Sequence, residues 1–307
     1  MISTRLPLEN TVYKANQFNP IFARHETFHP RFGWLKKGFG RARDDAEVFL
    51  REDAPIRLGV GKNMVRSIRY WCSAFKLLED DQPTDFGTQL LDQTGWDPYL
   101  EDPASLWLLH WKLIEQPSAA TAWYFVFNRF RAVEFTVEDL FYQLCDYRDQ
   151  MAPRISDSSL RKDVSCILRM YAVQPTKLRA SEDSLDCPFT GLGLIHPAGD
   201  SRHFMFRVGY KPSLVPEIVV YACLLHHVQT NSTAKTIPIA ALTYDSGSPG
   251  LVFKLTESAI CDAIAAVARQ WDQISLSDAA GKLQFSFEGE PLELAADILN
   301  RYYQVGR

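Results

Sequence analysis

Residues 62–80, KNMVRSIRYWCSAFKLLED, hold Met64, Val65, Ile68, Trp71, Cys72 and Phe75 at three- and four-residue intervals. An α-helix turns once in 3.6 residues, so this spacing gathers the six on one side, and a helix with an apolar stripe has to bury it against other elements. The opposite side carries Lys62, Arg66, Arg69 and Lys76, and no Asp or Glu interrupts residues 62–78. Before it come an acidic amphipathic stretch, DDAEVFLRE, and a turn-prone APIRLGVG. Helix, glycine-bearing turn, helix is the order of a helix-turn-helix.

Further helices announce themselves by their ends. In EDPASLWLLHWKLIEQ, Asp102 can accept from the free N–H groups of the first turn, Pro103 has the φ that a first helical position needs, and Pro117 closes the run. FTVEDLFYQLCDYRDQ has Thr136 as its cap and Asp139 three residues on. The second half predicts helices in SLRKDVSCILRMYAV, SLVPEIVVYACLLHHVQ and LTESAICDAIAAVARQWDQI, the last capped by Thr256. Two small hairpins are expected, one in GLGLIHPAGDSRHFMFRVGY and one ending in the alternating Leu283, Phe285 and Phe287. The expected fold is mainly α (α+β), a two-part helical protein with winged-helix-like helix-turn-helix elements and small β-hairpins. With 307 residues, two units are expected, and MAPRISDSS is the best linker. It divides the chain into 1–152, with the helix-turn-helix, and 153–307, with the winged-helix-like hairpins.

Composition narrows the class. The chain is 46% hydrophobic and 23% charged, as globular proteins are. It has no run of apolar residues long enough to span a membrane, and its start lacks a basic and apolar leader, so a cytoplasmic protein is expected. Six cysteines lie scattered without a CxxC pair, which fits a reducing compartment and offers no zinc site. The net charge of −4 excludes an indiscriminate polyanion binder, so any affinity for nucleic acid must reside in a local basic patch.

Several short strings invite chemistry. His25-Glu26-Thr27-Phe28-His29 reads HExxH, which binds zinc only when a helix brings both rings to one face, and Pro30 disfavours helical geometry at His29. Gly59 and Gly61 lack the spacing of a nucleotide-binding P-loop. In the acidic string 97–102, Asp97 and Asp102 both precede proline and are expected as caps, leaving Glu101 as the one unassigned carboxylate. His110, His226 and His227 lie in apolar helices and read as core histidines.

RHETFHPRFGWLKKG, LGVGKNMVRSIRYW and DPYLEDPASLWLLHW, in this order between residues 24 and 111, resemble the SspB-like family. The resemblance implies a component of a bacterial DNA phosphorothioation and phage-defence system. There the SspB-like protein is associated with nicking one DNA strand so that sulfur can replace a non-bridging phosphate oxygen. Its implied partners are double-stranded DNA and sulfur donors of cysteine-desulfurase and ATP-dependent sulfurtransferase type. For such a phosphodiester hydrolase the candidates are His25 as general base or ligand, Glu26 as its orienting partner or a ligand, and Arg31 with Lys36 as phosphate clamp. A divalent metal such as Mg²⁺ or Mn²⁺ is a candidate cofactor, with no ligand set read from the sequence. Lys36, Lys37, Lys62, Asn63, Arg66 and Arg69 are the expected DNA contacts. The rival readings are a non-catalytic DNA-binding adaptor of the same system and a winged-helix transcription regulator.

Overall fold

The structure is a computed structural model that describes residues 20–172, 187–199, 202–279 and 281–305. After an N-terminal turn come α1 (Trp34–Asp44), α2 (Ala54–Leu58) and α3 (Lys62–Ala74), followed by a short hairpin of β1 (Leu78–Glu79) and β2 (Gln82–Pro83). α4 (Asp85–Leu91) leads into α5 (Pro103–Ile114). The middle of the chain runs α6 (Thr121–Asn128), β3 (Glu134–Thr136), α7 (Val137–Met151), α8 (Asp157–Tyr171), β4 (Ile195–Pro197) and β5 (His203–Phe206). The last part runs α9 (Pro216–Gln229), β6 (Thr236–Pro238), α10 (Ile239–Tyr244), α11 (Pro249–Val252), α12 (Glu257–Ala268), β7 (Ile274–Ala279), β8 (Lys282–Phe287) and α13 (Pro291–Val305).

The protein is therefore mainly α with small antiparallel sheets, as expected. Middle and last parts share one topology. In each, a strand, helices and a hairpin follow a helix, and the first strand pairs with the last: β3-β5-β4 in one sheet and β6-β8-β7 in the other. The strands of both anticipated hairpins are paired, while Asp200 and Ser201 of the first and Ala280 of the second lie outside the described residues. Of MAPRISDSS, residues 151–159 and expected as a linker, 152–156 join α7 to α8 and the remaining residues are helical; α7 and α8 pack together, and β3 before the interval pairs with β5 after it.

The caps expected at Asp102, Thr136 and Thr256 form, whereas Asp97, also expected as a cap, begins no helix. Asp102 accepts from Ala104 N–H at 2.8 Å, Thr136 and Asp139 form a reciprocal capping box, and Thr256 accepts from Ala259 N–H at 3.3 Å. The helices before α3 lie elsewhere than expected. Of DDAEVFLRE only Asp44 is helical, as the last residue of α1, and α2 occupies the stretch read as a turn. The Asp45 carboxylate explains the difference, because it accepts from Glu47 N–H at 3.1 Å and from Arg51 Nε at 2.6 Å and so holds the chain in turns. Pro55, a turn signal in isolation, sits in the first turn of α2, where its missing N–H costs nothing. α1 crosses α3 closely at Gly38, where a Cβ would fall 2.5 Å from Cys72 Sγ and 2.7 Å from Ile68 Cγ2. Lys76 is not on the basic stripe. α3 ends at Ala74, Lys76 turns inward at φ 59°, and its Nζ donates to the Glu115 carboxylate at 3.0 Å and to the Glu115 carbonyl at 2.8 Å.

α5 and α6 are buried on nearly every side, so their polar groups need internal partners. His110 shows how this is met. It is fully buried, with Nε2 2.9 Å from the Val252 carbonyl of α11 and Nδ1 2.8 Å from the Tyr171 hydroxyl of α8. The carbonyl can only accept, so Nε2 carries the proton and Nδ1 accepts from the tyrosine, which requires a neutral ring. Burial drives the His110 pKa from 6.5 down to about 3, against the pull of the Val252 carbonyl. A depressed folded-state pKa contributes stability that is full above pH 6.5 and is lost as pH falls toward 3. At pH 5 the loss amounts to about 2 kcal/mol. Urea unfolding of wild type and His110→Gln at about pH 7.5 and pH 5 is expected to show this acid-dependent loss in the wild type and a correspondingly weaker dependence in the variant.

Candidate nucleic-acid interface

Residues 21–33 form a non-helical turn pressed between α3, α6 and α8. Ala23, Glu26 and Thr27 have φ of 54°, 50° and 69°, a left-handed backbone that non-glycine residues adopt only when the surroundings enforce it. Four side chains from those helices do so. Ile21 N–H donates to Thr121 Oγ1 at 2.8 Å on α6, and Ala23 N–H reaches both carboxylate oxygens of Asp163 on α8 at 3.0 and 3.2 Å. Trp71 Nε1–H of α3 donates to the Phe28 carbonyl at 3.0 Å, and the Arg169 guanidinium of α8 donates to the Thr27 carbonyl.

His25 sits at the centre of this turn and is fully buried. Its Nε2 lies 2.8 Å from Asp163 Oδ1. The ring stacks on Trp71 at 6.1 Å between centroids and meets the edge of Trp123 at 5.6 Å. Burial raises the Asp163 carboxyl above the usual carboxylate range, while His25 and the Ala23 N–H pull it the other way. The sequence reading missed Asp163. Its signal is one acid at helical spacing from Leu160, Val164 and Ile167, on the side of α8 that faces the core.

The other candidates reach the surface in different ways. Glu26 Oε1 stands 3.7 Å from Arg66 NH1, and the Arg66 side chain is 56% exposed. Arg31 lays its guanidinium against Phe28 and Trp34, at 5.9 and 5.4 Å from the ring centroids. Lys36 is half-buried; its Nζ donates to the Leu91 carbonyl at 2.5 Å and lies 5.4 Å from the Tyr99 ring. Burial, with the nearby Arg43, lowers its pKa. Lys37 is exposed on the same helix. Along α3, Lys62, Asn63, Arg66 and Arg69 are all exposed, and Arg69 is paired with Asp81 at 2.6 Å. The structure thus brings Glu26 to Arg66 and lines up four α3 residues, while His25 is enclosed and Lys36 is drawn toward the 91–99 segment.

The HExxH string is a turn, so its histidines do not share a helical face. The acidic string is engaged internally. Asp97 accepts from Glu101 and Asp102 N–H at 3.0 and 2.9 Å, and Asp102 accepts from Tyr302 OH at 2.9 Å besides capping α5. Both border a cleft of about 450 Å³ against α13. Among the described residues, no group of three or more His, Cys, Asp and Glu could hold a metal ion.

The family model described as a protein of unknown function, DUF4007, matches residues 22–303. Two solved structures are similar to this chain, a magnesium ion-bound SspB crystal structure and an SspB crystal structure. Each is 39% identical with a TM-score of 0.87, over 93% of this chain and 88% of the other. No curated protein matches.

The turn geometry makes His25 a structural member. His25→Ala leaves the Asp163 carboxylate buried without one of its partners, a change that costs about 3–5 kcal/mol when the pair is ionised and about 1–3 kcal/mol when it is neutral. Arg66→Ala, on the exposed side of α3, is expected to move stability by about 0.5 kcal/mol or less. Chemical denaturation of the two variants beside wild type checks the contrast.

Proposed function

Because the chain belongs to the SspB-like DUF4007 family, we propose that it is a DNA-binding component of an Ssp-type phosphorothioation and phage-defence system that nicks one strand of its target. Its partners in this reading are double-stranded DNA and the cysteine-desulfurase and sulfurtransferase components that supply the sulfur. The observation that supports the DNA reading is the exposed face of α3 with Lys62, Asn63, Arg66 and Arg69 in register, on a helix without an acid of its own although Glu26 and Asp81 reach Arg66 and Arg69 from outside it, in a protein whose net charge is negative. Such a patch is selective by position, because phosphates elsewhere on the surface meet repulsion.

A winged-helix reading is supported by the shared topology. From α9 to β8 the order is helix, strand, helices, hairpin, with the first strand against the last, and α6 to β5 repeats it. In that reading α3, α8 and α12 occupy the position of recognition helices. It groups 121–206 as one unit across residue 152, in place of the two-part division.

Strand cleavage needs an in-line nucleophile and neutralisation of the charge gathering on the phosphate. In this reading Glu26 and Arg66, which meet beside α3, with Arg31 of the same turn, act on a backbone laid along α3. His25 acts through them as a positioning residue, since its ring is sealed among Trp71, Trp123 and Tyr70. One of the two similar solved structures is magnesium-bound; among the described residues of this chain no group of three or more His, Cys, Asp and Glu is placed to hold a metal ion, and Mg²⁺ bound through one or two carboxylates and substrate phosphates needs no such group.

The burial of His25 favours a second reading, a non-catalytic adaptor that docks the sulfur-transfer proteins on DNA. Supercoiled plasmid separates the two: the nickase reading expects open circles when Mg²⁺ or Mn²⁺ and the partner proteins are present, and the adaptor reading expects bound but intact plasmid. The DNA face is tested by Arg66→Glu with Arg69→Glu. Each lost phosphate contact is expected to reduce the slope of log affinity against log salt by about 0.9, so the double variant should fall by about 2 units. An unchanged slope would mean that the face is only solvated.

A further inference from the structure

We propose that α8 is a second DNA-contact helix, continuous with α3, and that Arg161 and Lys162 are its phosphate contacts. This rests on the DNA reading above and extends it to residues outside the sequence motifs that suggested it.

Three observations lead there. Arg161 and Lys162 are both exposed on the first half of α8, and among the described residues neither forms an ion pair. Arg161 is also held in place, its guanidinium 3.8 Å above the centroid of the Phe141 ring of α7. An arginine laid on an aromatic face keeps its outward N–H fork free and loses less conformational entropy when it binds an anion.

The second observation is that α8 and α3 are joined through one turn. Glu26 pairs with Arg66 of α3, and its neighbour Thr27 accepts from Arg169 of α8. Adjacent Cα atoms are about 3.8 Å apart, so the two guanidinium groups converge on the same turn. Arg24 is a further exposed cation of that turn. The turn therefore fixes α8 beside α3, so that cations exposed on the two helices keep a constant separation.

The third observation is a comparison inside the molecule. α12 occupies the equivalent place in the last part of the chain, and its first two turns expose Glu257, Ser258 and Asp262. The fold does not by itself demand a basic surface on this helix. Of the three helices, α3 and α8 carry the outward lysines and arginines, and these are the two that the His25 turn fastens together. Two helices held at a fixed separation can contact one duplex at two places, and phosphate contacts at both add to the counterions released.

The experiment measures fluorescence anisotropy of a labelled duplex of about 30 base pairs across a salt series with four proteins: wild type, R161E/K162E, R66E/R69E and K162E alone. The α8 double variant is expected to weaken binding at least about 10-fold at low salt and to lower the salt slope by about 2 units, with K162E lowering it by about 1. K162E leaves the stacked Arg161 untouched, so its result is independent of any disturbance at Phe141. A wild-type slope in both α8 variants, with a reduced slope in R66E/R69E, would overturn the inference and leave the DNA reading standing. Wild-type slopes in all the variants would remove the DNA reading, and this inference with it.

Discussion

The hydrogen bond between His25 and Asp163 is the constraint from which the candidate interface follows. It lies in a dry, aromatic setting where an unpartnered carboxylate would be costly, so the N-terminal turn cannot detach from α8 without exposing that group. Because Trp71 of α3 both stacks on His25 and donates to the Phe28 carbonyl, the same turn holds α3 as well. The left-handed backbone at Ala23, Glu26 and Thr27 persists because these bonds outweigh its strain. Glu26 and Arg66 meet at the surface only because His25 is anchored beneath them.

Similar buried polar links tie together the rest of the molecule. His110 joins α5, α8 and α11 through one tyrosine and one carbonyl. Glu115 receives Lys76 from beyond α3 and Lys112 from α5, each at 3.0 Å, and Gln229 from α9 at 3.3 Å. Burial opposes its charge, yet the two ammonium groups hold the Glu115 carboxyl at about 2. Each link specifies a neighbour that apolar packing alone would leave open, since broken buried pairs carry a penalty that slipped hydrophobic contacts do not. A basic surface split between helices distant in sequence can keep a constant geometry on such a frame.

Charge is segregated over the molecule. α3 and α8 present lysine and arginine outward, α8 with Asp157 in its first turn, while the cleft beside α13 is bordered by Asp97, Glu101, Asp102 and Glu217 with Arg301 as its one cation among the described lining residues. In the proposed DNA-binding role, with a net charge of −4, this separation would favour one part of the surface for a polyanion. It also accounts for the value of the rigid turn, because a patch assembled from two helices is only as selective as their spacing is constant.

Much of the local structure was legible in the residues. Asp102 with Pro103, Thr136 with Asp139, and Thr256 are end signals whose physics acts within one helical turn, and the 3.6-residue period of Val65, Ile68, Trp71 and Cys72 faces the core as read. Family membership was also legible, from three motifs in series. What depends on distant partners was not. DDAEVFLRE has helical periodicity but is held in turns by Asp45, and Lys76 continues the basic period in sequence yet turns inward because Glu115, thirty-nine residues on, offers a carboxylate. His25 looked like a reactive group because its neighbours are polar in sequence. Its environment in space is Trp71, Trp123 and Asp163, brought together from three helices. Periodicity and capping are short-range and survive in any fold, whereas burial and ion pairing depend on which surfaces meet, and only the tertiary structure decides that.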